Sequence, residues 1–244
     1  MRIPRICVLE PLEVGTEILL PAQAGEHLAR VLRLEQGHPI ILFNGDGREF
    51  RAEISQLGKR SVSARVLKLG EIEDRESPLK LTLAQGVARG EKMDLILQKA
   101  TELGISRIVP LITERTEVKL DAERTARRLA HWQAVVASAC EQSGRLCLPK
   151  IEMPIRLGAW AAALSAGEGL RLALNPHGSV SPRTLPVFES ALLVVGPEGG
   201  LSQLDLTALD QANFLGLRLG PRILRTETAG LAGITALQAI HGDL

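Results

Sequence analysis

Aromatic side chains are scarce in this chain: four Phe, two Trp and no Tyr among 244 residues. A reader that stacks successive bases on rows of aromatic rings, as in an RRM-type sheet, is thereby excluded. Cysteine is as sparse. Cys7, Cys140 and Cys147 are odd in number and have no CxxC spacing, which speaks against a disulfide framework and a thiolate zinc site and fits a reducing compartment. Neither sign of charge prevails: 29 Lys and Arg face 28 Asp and Glu, a formal net charge of +1, so any nucleic-acid surface must be a local patch. Long hydrophobic runs are missing too. The opening MRIPRICVLEPLEVG holds only the apolar stretch ICVL before Glu10, too short for a signal-peptide core, and nothing approaches the length of a membrane span. The expectation is a cytoplasmic chain with no membrane partner.

Familiar motifs are absent as well. Gly58-Lys59 is followed by Arg60 and has no upstream Gly at Walker spacing, so nucleotide hydrolysis loses its best support. No GxGxxG follows a strand, and neither HExxH nor GxSxG occurs. His27, His38, His131, His177 and His241 are scattered without ligand spacing, and no metal is expected.

What is present is 45% hydrophobic and 23% charged residues, enough to bury one or two cores. Residues 1–72 read as a small barrel or sandwich, with β-rich runs at 39–43, 48–54 and 61–69. The tetrad Asn44-Gly45-Asp46-Gly47 is either a hairpin turn or an anion-binding loop. One helix is expected over 26–34, with Leu28, Val31, Leu32 and Leu34 on its apolar side and His27, Arg30 and Arg33 on the other. The charged stretch GEIEDRESPLK (70–80) marks a domain boundary. From residue 73 to 244 strands and helices alternate: strands at 81–87, 106–112, 170–174, 191–195 and 215–219; helices at 91–103, 123–142, 159–166, 203–212 and after Thr226. That pattern is an α/β domain with a largely parallel sheet. Gly104 suits a left-handed helix stop, and Ser202 with Asp205 forms a capping-box pattern.

Two loops carry chemistry. GPEGGLS (196–202) leaves the apolar strand ALLVV and enters a capped helix, the position of a binding loop at the carboxyl end of a parallel strand. Its glycines admit close backbone approach to a ligand, although a tight strand-to-helix turn needs no more than this. LGPRILRTETA (219–229) repeats the strand-loop-helix arrangement, and side by side the two could form one cleft.

Together these loops resemble the signature of the SPOUT methyltransferases, specifically the ribosomal RNA small-subunit methyltransferase E family. HLARVLRLEQG (27–37), LFNGDGREF (42–50), residues 91–120 and ACEQSGR (139–145) are similar to that family too, so the likeness spans nearly the whole chain. It departs at Gln203, Leu204 and Asp205, where the family often has adjacent glutamates, and at His38 in place of an aspartate. The resemblance implies an N-terminal PUA-like RNA-binding β-barrel and a C-terminal α/β domain with a deep trefoil knot. It further implies S-adenosylmethionine as methyl donor, a homodimer, and methylation at N3 of a uridine in 16S ribosomal RNA, within the small ribosomal subunit. A relative acting on a ribose 2′-oxygen or another base, and a non-catalytic ribosome-assembly protein, are the other readings.

On this resemblance the donor is held by Leu174, Gly196, Pro197, Glu198, Gly199, Gly200, Leu219, Gly220, Ile223, Leu224, Arg225 and Thr226. Uracil N3 must lose its proton before or during attack, so a carboxylate is sought as base: Glu227, Glu198 or Glu141, unless water relays the proton. Arg225 and Arg145 are candidates to stabilise charge on the uracil oxygens, because arginine stays protonated. Phosphates would be gripped by Arg2, Arg5, Arg30, Arg33, Arg48 and Arg51 from the first domain and Arg89, Lys92, Arg115 and Lys119 from the second.

Overall fold

The computed structural model describes residues 3–58, 61–71, 73, 75–118 and 121–244. Its elements run β1 (Arg5–Cys7), β2 (Glu17–Leu19), α1 (Ala22–Glu26), a π-helical turn (His27–Val31), β3 (Pro39–Phe43), β4 (Glu49–Leu57), β5 (Val62–Leu69) and β6 (Lys80–Gly86). There follow α2 (Glu91–Glu102), β7 (Arg107–Ile112), α3 (Ala122–Ser143), β8 (Lys150–Ile151), β9 (Ile155–Arg156), α4 (Leu157–Ala162) and β10 (Leu170–Leu174). A 3₁₀ turn (Pro182–Thr184), β11 (Ser190–Val195), α5 (Gln203–Gln211), β12 (Leu215–Leu217) and α6 (Thr226–His241) complete the chain.

Two compact units result. Residues 1–76 with 140–148 form the first, and 77–139 with 149–244 the second. The first unit therefore runs through Glu76 and takes in residues 140–145 of the ACEQSGR motif. The reason is an ion pair hidden in the apparently solvated linker: Arg145, only 4% exposed, donates its Nε to Glu76 Oε2 at 3.2 Å, and the Cys147 N–H donates to Glu76 Oε1 at 3.2 Å.

In the first unit a five-stranded sheet has the order β1-β3-β4-β5-β2, with only the β1–β3 pairing parallel. β4 alternates as a half-buried strand should: Phe50, Ala52 and Ile54 enter a core shared with Ile40, Leu42 and Val66, while Arg51 and Glu53 turn outward. Residues 44–47 join antiparallel β3 and β4, with Gly45 and Gly47 at positive φ, as a turn requires. The helix expected over 26–34 is not regular. Leu32 N–H donates to His27 O, a five-residue spacing that widens the turn and rephases its faces. Leu28 is buried, but Val31 (65%) and Leu32 (41%) lie exposed.

In the second unit the sheet has the order β12-β10-β11-β6-β7-β8, with β9 also on β7, and every pairing is parallel. β6 and β11 at its centre are buried on both faces, so their apolar runs are nearly continuous instead of alternating. α2 buries Met93, Ile96, Leu97 and Ala100 at helical spacing and ends before Gly104 at φ +84. α6 lies close on the sheet: a Cβ on Gly233 would stand 3.1 Å from Leu193 Cδ2. The capping box of Ser202 and Asp205 is present at α5. β12 stops at Leu217 and α4 at Ala162, both short of expectation.

Removing one partner of a buried ion pair leaves the other charge uncompensated. Glu76→Ala is expected to lower the unfolding free energy by about 3 kcal/mol, read by urea denaturation. An unchanged midpoint would show that the Arg145 pair does not hold residues 140–148 in the first unit.

Candidate functional site

In a parallel sheet all strands deliver their next loops to the same edge. β12, β10 and β11 are neighbours, and Leu217 lies beside Leu174 in register, so the loops after Leu174, Val195 and Leu217 start side by side. This is the edge where open α/β sheets bind ligands.

The turn at 196–200 closes on itself, the Gly200 N–H donating to Pro197 O at 2.8 Å with Gly200 at φ +69. It seats against β6 because Gly86 has no side chain: a Cβ there would come within 2.6 Å of Pro197. Thr226, the first residue of α6, donates its hydroxyl to Gly196 O at 2.6 Å, which ties the second loop's end to the first loop's start. Behind both, Gln85 Nε2 donates to Thr226 Oγ1 and to Gly86 O, each at 3.0 Å. Neither Gln85 nor Gly86 is among the residues expected from sequence. The available signal was a carboxamide and a glycine ending a run of apolar strand residues, a costly choice for a buried strand without a polar task.

Cationic residues surround the turn. Arg115 donates to Gly199 O at 2.8 Å, Lys92 lies 3.4 Å from Glu198, and Arg89 pairs with Glu117 while its N–H donates to Glu198 Oε1 at 3.0 Å. Partial burial works against ionisation of Glu198, but the hydrogen bonds from Arg89, its own backbone and Lys92 outweigh it and hold its carboxyl below the ordinary glutamate value. Glu198 is thus a loop anchor with reduced basicity. Glu227, in the first turn of α6, differs: its Oε2 is buried and has no partner among the described residues. Arg225 is exposed and its side chain makes no hydrogen bond or ion pair among them. Leu219, Gly220 and Leu224 are half-buried along the loop, and Ile223 is 84% exposed. An open cleft of ≈ 710 Å³ lies between residues 178–183, 218–220 and α6, in the volume range of small-molecule sites, yet it takes in only Leu219 and Gly220 of the expected donor contacts.

Glu141 and Arg145 belong to the first unit. Glu141 accepts the Cys7 N–H at 2.9 Å; burial pushes its carboxyl up, against the pull of that bond and of His27 and Arg5. Arg145 spends its guanidinium on Glu76. Arg5, expected on phosphates, is instead buried against Glu49 and the Phe43 ring, because an unpaired guanidinium cannot remain inside. Arg30 pairs with Glu26 and Arg48 with Asp46, both exposed, while Arg33 stands exposed at φ +52 and Arg51 lies half-buried on the outer side of β4. Arg2 and Lys119 lie outside the described residues. No group of ligands able to hold a metal, and no helix long and apolar enough to cross a membrane, occurs among the described residues.

A family model described as an RNA methyltransferase domain matches residues 75–238, and one described as an RNA methyltransferase PUA domain matches residues 20–67. The chain is 34% identical to the ribosomal RNA small subunit methyltransferase E of Buchnera aphidicola from Schizaphis graminum, over 100% of this chain and 98% of that one. Among solved structures, a methyltransferase of Legionella pneumophila in complex with the cofactor S-adenosylmethionine is 41% identical with TM-score 0.94. A ribosomal RNA small subunit methyltransferase E of Neisseria gonorrhoeae bound to S-adenosylmethionine is 37% identical with TM-score 0.90, and in both cases each chain is covered completely.

A carboxyl held below its unfolded value contributes stability above the unfolded pKa and loses it as pH falls through the folded one. Glu198→Gln is therefore expected to be less stable than the parent at pH 7, with the gap closing as the pH is taken below the ordinary carboxylate range. Denaturation midpoints at neutral and acid pH check this; a gap that widens on acidification contradicts the assigned hydrogen bonds.

Proposed function

Since this chain belongs to the ribosomal RNA small subunit methyltransferase E family, with a PUA-like N-terminal domain and an α/β methyltransferase domain, we propose that it methylates N3 of one uridine in 16S ribosomal RNA, using S-adenosylmethionine. The observation that carries the reading is the joining of the 196–200 turn to the start of α6 at the carboxyl edge of three adjacent parallel strands. The residues fit the donor: Gly200 and Gly220 face open space and leave backbone groups approachable, Gly196 and Gly199 let the turn pack on itself and on Arg115, Leu219, Ile223 and Leu224 supply apolar surface for an adenosine, and the spare carboxylate oxygen of Glu227 suits a cationic or proton-bearing ligand.

When bound, S-adenosylmethionine supplies an electrophilic methyl carbon on a sulfonium sulfur. Glu227 would accept the proton of uracil N3, leaving the nitrogen nucleophilic beside a donor that the 196–200 turn and the 219–226 loop would hold. Arg225 stabilises the negative charge spread onto the uracil oxygens. Glu198 keeps the turn in place and Glu141 serves the first unit, so Glu227 is the favoured base of the three. The PUA-like domain contributes Arg30, Arg33, Arg48 and Arg51 to phosphate binding, and Arg89, Lys92 and Arg115 contribute around the turn. The finer features of the family, a deep trefoil knot threading these loops, a homodimer and residence in the cytoplasm, belong to the same proposal. Exposed Leu204, Leu215 and Ile240 offer apolar area for a second copy, and sedimentation should show a dimer at donor-binding concentrations.

Undermethylated small subunits incubated with the protein and labelled donor are expected to yield label in 3-methyluridine on nucleoside mass spectrometry. Label in another nucleoside would move the target, and no label with the donor bound would favour a non-catalytic assembly role. Glu227→Gln should lower the transfer rate about 100-fold or more while leaving donor binding within a few-fold. RNA affinity should fall steeply as salt rises, with a shallower slope for Arg30→Ala/Arg33→Ala; insensitivity to salt would exclude the phosphate patch.

A further inference from the structure

β6 is buried on both faces, and Gln85 near its end is 0% exposed. A leucine or methionine would fill such a place without polar atoms to satisfy, so a carboxamide with one buried oxygen unpartnered among the described residues calls for a cause. Its amide nitrogen has two hydrogens. One goes to the Gly86 carbonyl, the other to Thr226 Oγ1, and Gly196 O stands at 3.4 Å. A threonine hydroxyl has a single hydrogen, so once Oγ1 accepts from Gln85 that hydrogen is directed to Gly196 O, where the bond measures 2.6 Å. Without the amide, the hydroxyl is free to rotate to another acceptor.

We propose that Gln85 is a positioning residue for methyl transfer, orienting the Thr226 hydroxyl so that the 196–200 turn and the Glu227-bearing start of α6 are held at the spacing the donor site needs. The inference deepens the methyltransferase reading and rests on it. Gln85 touches neither the reacting atoms nor the donor; it acts through Thr226.

Four variants test the relay: Gln85→Met, which keeps the volume and removes both N–H groups, Gln85→Glu, Thr226→Val and Thr226→Ser. Donor affinity is measured by calorimetry, transfer by labelling of undermethylated small subunits, and folding by thermal melting. Gln85→Met and Thr226→Val should each weaken donor binding by about tenfold, the effect of losing the oriented bond between Thr226 and Gly196, and Thr226→Ser should restore it. The double variant should be no weaker than either single one, because both break one chain of bonds. Gln85→Glu donates only when protonated, so its activity relative to the parent should rise as pH falls, and its thermal melt at each pH separates that recovery from the cost of burying a charged carboxylate.

Wild-type donor affinity in both Gln85→Met and Thr226→Val, or a Gln85→Glu variant whose melt recovers on acidification while its activity does not, overturns the proposal. Should Gln85→Met fail to melt cooperatively, the Thr226 pair decides alone. A parent protein that binds donor and labels no nucleoside overturns the methyltransferase reading instead, and the binding arm still tests the relay.

Discussion

Thr226 and Gly196 are thirty positions apart in the chain and one hydrogen bond apart in space. That bond fixes where the Gly-rich turn begins relative to the helix that carries Glu227, and almost everything assigned to the site follows from it. Pro197 can approach because Gly86 offers no Cβ, and Gln85 can reach because it stands beside Gly86 at the end of the same strand. A polar clasp of this kind inside a low-dielectric edge is strong when complete and costly when broken. The apolar β6 and β11 supply the rigid platform; Gln85 and Thr226 supply the direction.

The charges around the turn sort themselves by burial. Glu198 is tied to Arg89 and Lys92 at the surface, where its partners favour the ionised form and make it an anchor. Glu227 retains a buried oxygen with nothing to bind among the described residues, which sets it apart from Glu198. Glu141, Arg145 and Arg5 illustrate the opposite outcome. Their charges are consumed in assembling the first unit, where Glu76 and Glu49 neutralise the two guanidiniums and the Cys7 amide occupies the carboxylate.

Much of the architecture was legible beforehand because periodicity is a local property. The strands at 39–43 and 170–174 appear with the expected bounds, and Gly104 and Ser202 mark helix ends by the chemistry anticipated for them. The turn after 26 departs from the expected helix because i→i+5 bonding changes the phase of a helix face, and no pattern of apolar residues records which hydrogen bond the backbone selects. Of the site, the two loops were visible through their glycines and their places between strand and helix; Gln85 was not, since one polar residue in an apolar run has no meaning until its partners are known.

The amino-acid sequence by itself determined the α/β alternation, the sparse aromatics that rule out a base-stacking sheet, and the two loops that resemble a methyl-donor site, because each depends on residue type and short spacing. Which residues share an environment was decided only by the tertiary structure. Residues 140–148 join a unit that begins more than a hundred positions earlier, and Arg145 turns to Glu76 because a guanidinium that enters the interior must find a carboxylate there. Gln85, Thr226 and Gly196 meet for a comparable reason: parallel strands end on one edge, and buried donors and acceptors on that edge must satisfy one another.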